Sequence, residues 1–213
     1  MIEVTVSLSR WPFRRLPLDE PAALVAALRR LGTTQAWAGS FDGLLHRDVA
    51  GANRRLADDC GAHGDGLLVP FGTVDPTLPD WRDDVRRCHE EHRMPGIRLH
   101  PNYHGYGLDD PRLAALLDEV AGRSLLVQVV AAMEDRRTQH PLVRVPPVDP
   151  EPLADLVARR PALRVVLLNA ALPPEGAVLG RLVGTGRIWV DTAMLEGLSV
   201  LERLVAALGP GRL

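Results

Sequence analysis

Apolar residues gather in short, nearly continuous runs that recur roughly every 30 residues, and between the runs they switch to a three-to-four spacing. The runs predict seven strands, at residues 2–8, 34–38, 66–72, 96–99, 125–130, 163–168 and 188–191. A strand apolar at almost every position suits a parallel sheet covered on both faces. The intervening stretches predict helices with legible starts. Asp19 before Glu20-Pro21 reads as a cap ahead of an early-helix proline, followed by Leu24, Leu28 and Leu31 and ended at Gly32. Asp48, Asp80, Asp110 and Asp149 open four more. Their core faces carry Val49, Leu56 and Cys60; Trp81, Val85, Cys88 and His92; Leu113, Leu116, Leu117 and Val120; and Leu153, Leu156 and Val157. A shorter helix spans 175–183, and Leu198, Leu201, Leu204, Val205 and Leu208 mark a last one.

Strand–helix alternation with short links predicts a parallel α/β fold. Seven units favour a (β/α)8 barrel of TIM type over an open doubly wound sheet. No linker or low-complexity segment interrupts 1–213, so a single domain is expected. Gly209-Pro210-Gly211 reads as the turn after the seventh helix, and Leu213 would begin an eighth strand. The expectation is therefore a barrel of seven β/α units with the eighth strand missing. Strands one and seven would then present open edges. That predicts cover from another chain, such as a homo-oligomer, or a longer parent polypeptide.

Length agrees: 213 residues fall short of the roughly 250 usual for a complete barrel. Net charge is −2, from 25 basic and 27 acidic side chains, with no basic stripe. Nucleic acid and anionic membrane are thus not expected as partners, and a small molecule is. Cys60 and Cys88 form no C-x-x-C pair and read as buried thiols in a reducing compartment. No apolar run reaches membrane-spanning length, and the first residues alternate like a strand rather than a signal peptide, so a cytoplasmic location is expected.

In such barrels chemistry sits at the carboxyl ends of the strands. The polar and aromatic residues there are the candidates. Arg98 is either paired with an acid, Asp75 or Asp191, or an anchor for a substrate carboxylate. His100, His140 and Asp191 are candidate acid–base groups. Tyr103, His104, Trp11, Trp37, Glu134 and Asn169 are candidates for contact with a ligand. His100 and His104 lie four apart on what reads as a loop, so helical geometry is not assumed for them. His100 and His140 have loop support as their other reading, and Trp11 and Trp37 have rim packing.

Three motifs carry a family resemblance. Gly96-Ile97-Arg98-Leu99-His100-Pro101 resembles the fourth-strand motif of the amidohydrolase superfamily, in the amidohydrolase-related (amidohydrolase 2) branch. Val69-Pro70-Phe71-Gly72-Thr73-Val74-Asp75-Pro76 resembles its third strand, and Val190-Asp191-Thr192-Ala193 its seventh. The resemblance implies a metal-dependent hydrolase barrel. Its usual ligands are a His-x-His after strand one, a His after each of strands five and six, and an Asp after strand eight. Together they hold a divalent ion such as zinc that activates water. This chain carries Ser7-Leu8-Ser9, Gln128 with Val130, and Asn169 at the corresponding places, and no eighth strand. No metal ligands are therefore assigned. His100, His104, His140, Glu134 and Asp191 are the residues from which a replacement site could be built. The resemblance implies hydrolysis, or decarboxylation, of a small molecule. The alternative is a metal-free, non-catalytic barrel that binds a small molecule or a partner.

Overall fold

A computed structural model describes residues 1–174 and 176–213. It divides into two compact units, Met1–Leu99 and His100–Leu213. Seven parallel strands, each followed by helical structure, give a fold of the (β/α)8-barrel type with seven units.

In the N-terminal unit β1 (Ile2–Leu8), β2 (Gln35–Ser40), β3 (Leu68–Thr73) and β4 (Gly96–Leu99) lie side by side in chain order. Register sets Ser7 opposite Gly39, Trp37 opposite Val69, and Thr73 opposite Arg98. Helix α1 (Pro21–Arg30) starts from Glu20, in extended conformation, with Pro21 supplying a preset φ. Asp19 is not its cap as expected; it pairs with Arg15 at 2.6 Å. The buried stripe of α1 is Val25, Ala27 and Leu28, while the expected core residue Leu31 is exposed. Helix α2 (Val49–His63) is capped by Asp48, whose carboxylate accepts from Gly51 N–H at 2.8 Å. It buries Val49, Ala52, Leu56 and Cys60. Helix α3 (Trp81–Arg86) runs on into a wider turn, Arg87–Glu91, and sets Trp81, Val85 and Cys88 in the core. Gly72 lies so close to Cys88 that an added Cβ would sit 2.3 Å from its sulfur.

One polar side chain holds this packing in place. Asn53 of α2 is buried, its Nδ2 donates to the Thr73 carbonyl, and its Oδ1 accepts from Thr73 N–H, both at 2.8 Å. It pairs the main-chain groups at the last residue of β3, where unpaired groups are costly.

In the C-terminal unit β5 (Leu126–Val130), β6 (Arg164–Leu168) and β7 (Ile188–Val190) pair in parallel. His100 leads into a one-turn helix α4 (Pro101–His104), so the histidine pair does have helical geometry. His104 N–H donates to the His100 carbonyl at 3.0 Å, which corrects the loop expectation. Helix α5 (Pro111–Gly122) is capped by Asp110 and buries Leu113, Leu116, Leu117 and Val120. Helix α6 (Leu153–Ala158) begins later than expected. Asp149 accepts from Glu151 N–H in a local turn, and the helix follows Pro152. Helix α7 (Ala177–Gly184) covers most of the expected stretch at 175–183, and Glu175 lies outside the described residues. Helix α8 (Val200–Leu208) buries Leu204 alone; Leu198 precedes it and is exposed. Pro210–Arg212 form a 3-10 turn, and among the described residues Leu213 belongs to no strand. No helix among the described residues is long and apolar enough to cross a membrane.

Candidate functional site

At the carboxyl ends of β5, β6 and β7 the chain builds a cleft of about 690 Å³. Its floor depends on Asn169, just past β6, which takes a left-handed φ of 57°. Asparagine tolerates that conformation better than most residues. Asn169 N–H donates to Asp191 Oδ1 at 2.8 Å, and Asn169 Nδ2 donates to the Ala132 carbonyl at 2.8 Å. One residue thereby joins the segments that follow three strands.

The segment 131–152 forms the near wall as a strap without helix or strand. Val148 N–H donates to the Ala131 carbonyl at 2.8 Å and closes its base. Gln139 clamps Val145 through both halves of its amide, at 3.0 and 3.2 Å. Asn102 of α4 donates to the Pro146 carbonyl at 3.0 Å. Arg137 pairs with Asp135 on the strap and with Glu196 beyond β7, the latter at 2.7 Å. The Asp135 carboxyl is held down to about 2 by hydrogen bonds from Arg137. Arg137 and Glu196 are largely exposed and Asp135 is partly so, so the network's contribution to stability is small.

Glu134, Arg136 and Arg203 line the cleft, with Leu172, Met194 and Leu195 as apolar walls. Among the described residues Arg136 has no ion-pair partner. Tyr103 is half-buried, and burial together with the charge of Glu134 pushes its hydroxyl up to about 12. It therefore stays protonated and able to donate.

The structure brings together some of the expected site residues and separates others. Glu134 and Asn169 line the cleft, Asp191 braces Asn169 from below, and Tyr103 senses Glu134. His100 and His104 stack edge to face at 6.0 Å, and His104 faces Tyr106 at 6.4 Å, none of them on the cleft. His140 is exposed on the strap, where its Nδ1 accepts from Leu142 N–H at 3.2 Å. Arg98 is buried in the N-terminal unit and donates to the carbonyls of Val6 at 2.7 Å, Trp37 at 2.9 Å and Val4 at 3.1 Å. Trp37 stacks on Phe71 at 4.9 Å, and Trp11 sits edge-on between Phe13 and Phe41. By sequence Arg136 is one of the polar residues after the fifth strand and is assigned no role, and Arg203 is not singled out. Arg136 belonged to a visibly polar loop, but Arg203 carries no local signal, because its place on the cleft comes from the packing of α8.

The amidohydrolase family model matches residues 10–213. The chain belongs to the amidohydrolase family. No curated protein matches it by sequence. Several solved structures share its fold. The Metarhizium anisopliae IDCase is 17% identical with a TM-score of 0.67, covering 95% of this chain and 67% of its own. A 5-carboxyvanillate decarboxylase from Novosphingobium aromaticivorans is 16% identical with a TM-score of 0.65, covering 99% and 84%. That structure holds manganese and 3-methoxy-4-hydroxy-5-nitrobenzoic acid. A 2,6-dihydroxybenzoate decarboxylase from Rhizobium is 13% identical with a TM-score of 0.67, covering 99% and 85%. At these identities the likeness concerns the fold.

The residues of this amidohydrolase-family chain do not fit the divalent ion that the family implies. At the end of β1, the Ser7 hydroxyl lies 3.4 Å from the Arg98 guanidinium, and just past it the Ser9 hydroxyl donates to the Leu8 carbonyl at 2.6 Å. Gln128 on β5 and Asn169 after β6 offer neutral amides, weak partners for a cation that prefers imidazole and carboxylate. Among the described residues no three His, Cys, Asp or Glu side chains converge in a way that could hold a metal.

Proposed function

We propose that this amidohydrolase-family protein acts on a small organic acid bound in the cleft of its C-terminal unit. The observation that carries this reading is Arg136, a guanidinium without an ion-pair partner among the described residues, on the lining of an apolar-walled cleft at the strand ends. A guanidinium's planar fork suits a carboxylate, and Leu172, Met194 and Leu195 suit a ring or chain behind it. Glu134 is the group placed for proton transfer, with the protonated Tyr103 hydroxyl nearby as a donor. Asn169 and Asp191 position the floor. The reaction class is decarboxylation or hydrolysis, and no metal step is invoked. Aromatic acids are the first substrates to test, because decarboxylases of the same fold carry such acids in their names.

The test is a panel of benzoates, hydroxylated benzoates and aliphatic dicarboxylates, followed by ligand-observed NMR for binding and by chromatography for turnover. Arg136→Gln is expected to weaken binding of the best ligand at least about tenfold, the loss of one charge-assisted hydrogen bond. Absence of any carboxylate ligand, or equal binding by Arg136→Gln, refutes the reading. Binding without turnover would instead favour a non-catalytic barrel, a reading supported by the misfit of the family's metal ligands.

A further inference from the structure

We infer that hydrogen-bonded clasps hold the strand ends of this chain where relatives would gather them on a metal ion, and that its fold has no requirement for a divalent cation. This inference is independent of what the cleft binds.

The clasps occupy the positions at which the family's ligands are expected. In the N-terminal unit Ser9, just past β1, is held at a left-handed φ of 61°. Its hydroxyl donates to the Leu8 carbonyl at 2.6 Å and lies 3.2 Å from Ser40 Oγ. Both serine oxygens accept from Asp42 N–H, at 3.1 and 3.2 Å, so the ends of β1 and β2 are tied to the turn that follows β2. The carboxylate of Asp42 is itself taken up by Arg55, at 2.9 and 3.1 Å. Ser7, the other residue of the pair, lies against Arg98.

The second clasp is built differently and does the same work. Asn169, after β6, is also left-handed. Its main-chain N–H points to Asp191, and its side chain reaches the Ala132 carbonyl. Ala131 N–H in turn donates to the Leu168 carbonyl at 2.8 Å. Asp191 is buried and its Oδ1 already accepts from a main-chain N–H. In both clasps a non-glycine residue is kept in a disfavoured backbone region, which persists only where its surroundings over-determine it. Here the side-chain bonds of Ser9 and Asn169 supply that constraint.

The experiment uses the full chain. Metal content is measured by elemental emission, and the melting temperature by circular dichroism in excess EDTA, excess manganese chloride and excess zinc chloride. The expected result is substoichiometric metal and melting temperatures that agree to about 1 °C across the three conditions. A cation bound at 100 times its Kd would raise the melting temperature by about 5–10 °C in a chain of this size. Such a rise, or one equivalent of co-purified cation, overturns the inference. Asn169→Gly and Ser9→Gly keep the left-handed backbone without strain and remove only the side-chain bonds. Each is expected to lower the melting temperature by several degrees, with no recovery on adding either cation. An unchanged melting temperature in both variants also overturns it.

Discussion

Asn53 offers the sharpest test of how the N-terminal unit is held together. Replacing it with alanine removes an amide that satisfies both main-chain groups of Thr73. The site is buried, so neither group has bulk water to turn to. A buried donor or acceptor left unpaired costs about 1–3 kcal/mol. Two such groups give about 2–6 kcal/mol, and partial hydration of the space vacated by the amide brings the expected loss to about 2–4 kcal/mol. The assay is equilibrium urea unfolding followed by far-ultraviolet circular dichroism, with the midpoint compared at a constant slope. Asn53→Asp sharpens it. At neutral pH its carboxylate would oppose the Thr73 carbonyl, so it should lose more than alanine does. It should recover part of the loss in acid, where the protonated carboxyl can donate. A loss below about 1 kcal/mol for Asn53→Ala would show that the pairing of Thr73 matters little and refute the reasoning.

Two further outcomes follow from buried titratable groups. Asp84 lies in the core face of α3, where burial, reinforced by neighbouring acids and opposed by Arg87, pushes its carboxyl from 3.8 up to about 6. Its folded state therefore holds a proton that the unfolded state releases between about pH 4 and 6, and stability is lost as pH rises through that window. Asp84→Asn should remove that loss, gaining up to about 3 kcal/mol at pH 7 relative to acid conditions, as read from urea midpoints across pH. Cys60 and Cys88 are both buried, and burial raises both thiols to about 12. Native protein should resist alkylation by iodoacetamide, and both thiols should react on unfolding; rapid labelling of either in the native state would contradict the packing around α2 and α3.

Most strands were legible because their apolar runs are nearly unbroken, and the first by its alternation; the predicted bounds 2–8 and 96–99 coincide with β1 and β4. The second strand was predicted to stop at Ala38 but continues through Gly39-Ser40. Those two residues carry no apolar signal. Gly39 is needed there because an added Cβ would sit 2.6 Å from the Arg98 guanidinium. The turn at Pro101–His104 was hidden by its shortness, although Pro101 at its first position was a usable mark. The barrel-type fold and family membership were both readable, since each rests on patterns spread over the whole chain. The site was readable only in part. Asn169 directly follows β6 and Glu134 lies four residues past the end of β5, so position alone pointed to them. Arg98 lies within β4, one residue from its carboxyl end, and is engaged by main-chain carbonyls within the unit, because its long side chain turns back toward β1 and β2. His140 lies in the same polar strap as Arg136 but spends its ring nitrogen on a local turn.

The carbonyl cradle of Arg98 has a consequence for how the N-terminal unit assembles. The guanidinium belongs to β4, while its partners Val4, Val6 and Trp37 lie 94, 92 and 61 residues earlier in the chain. Until β1 and β2 stand in register, that charge has no shell to enter, and a one-residue slip would turn side chains into the space it fills. The last strand of the unit thus checks the alignment of the first two. Such checking depends on distant contacts, whose loops must close before they are rewarded, so the unit should fold slowly and all at once.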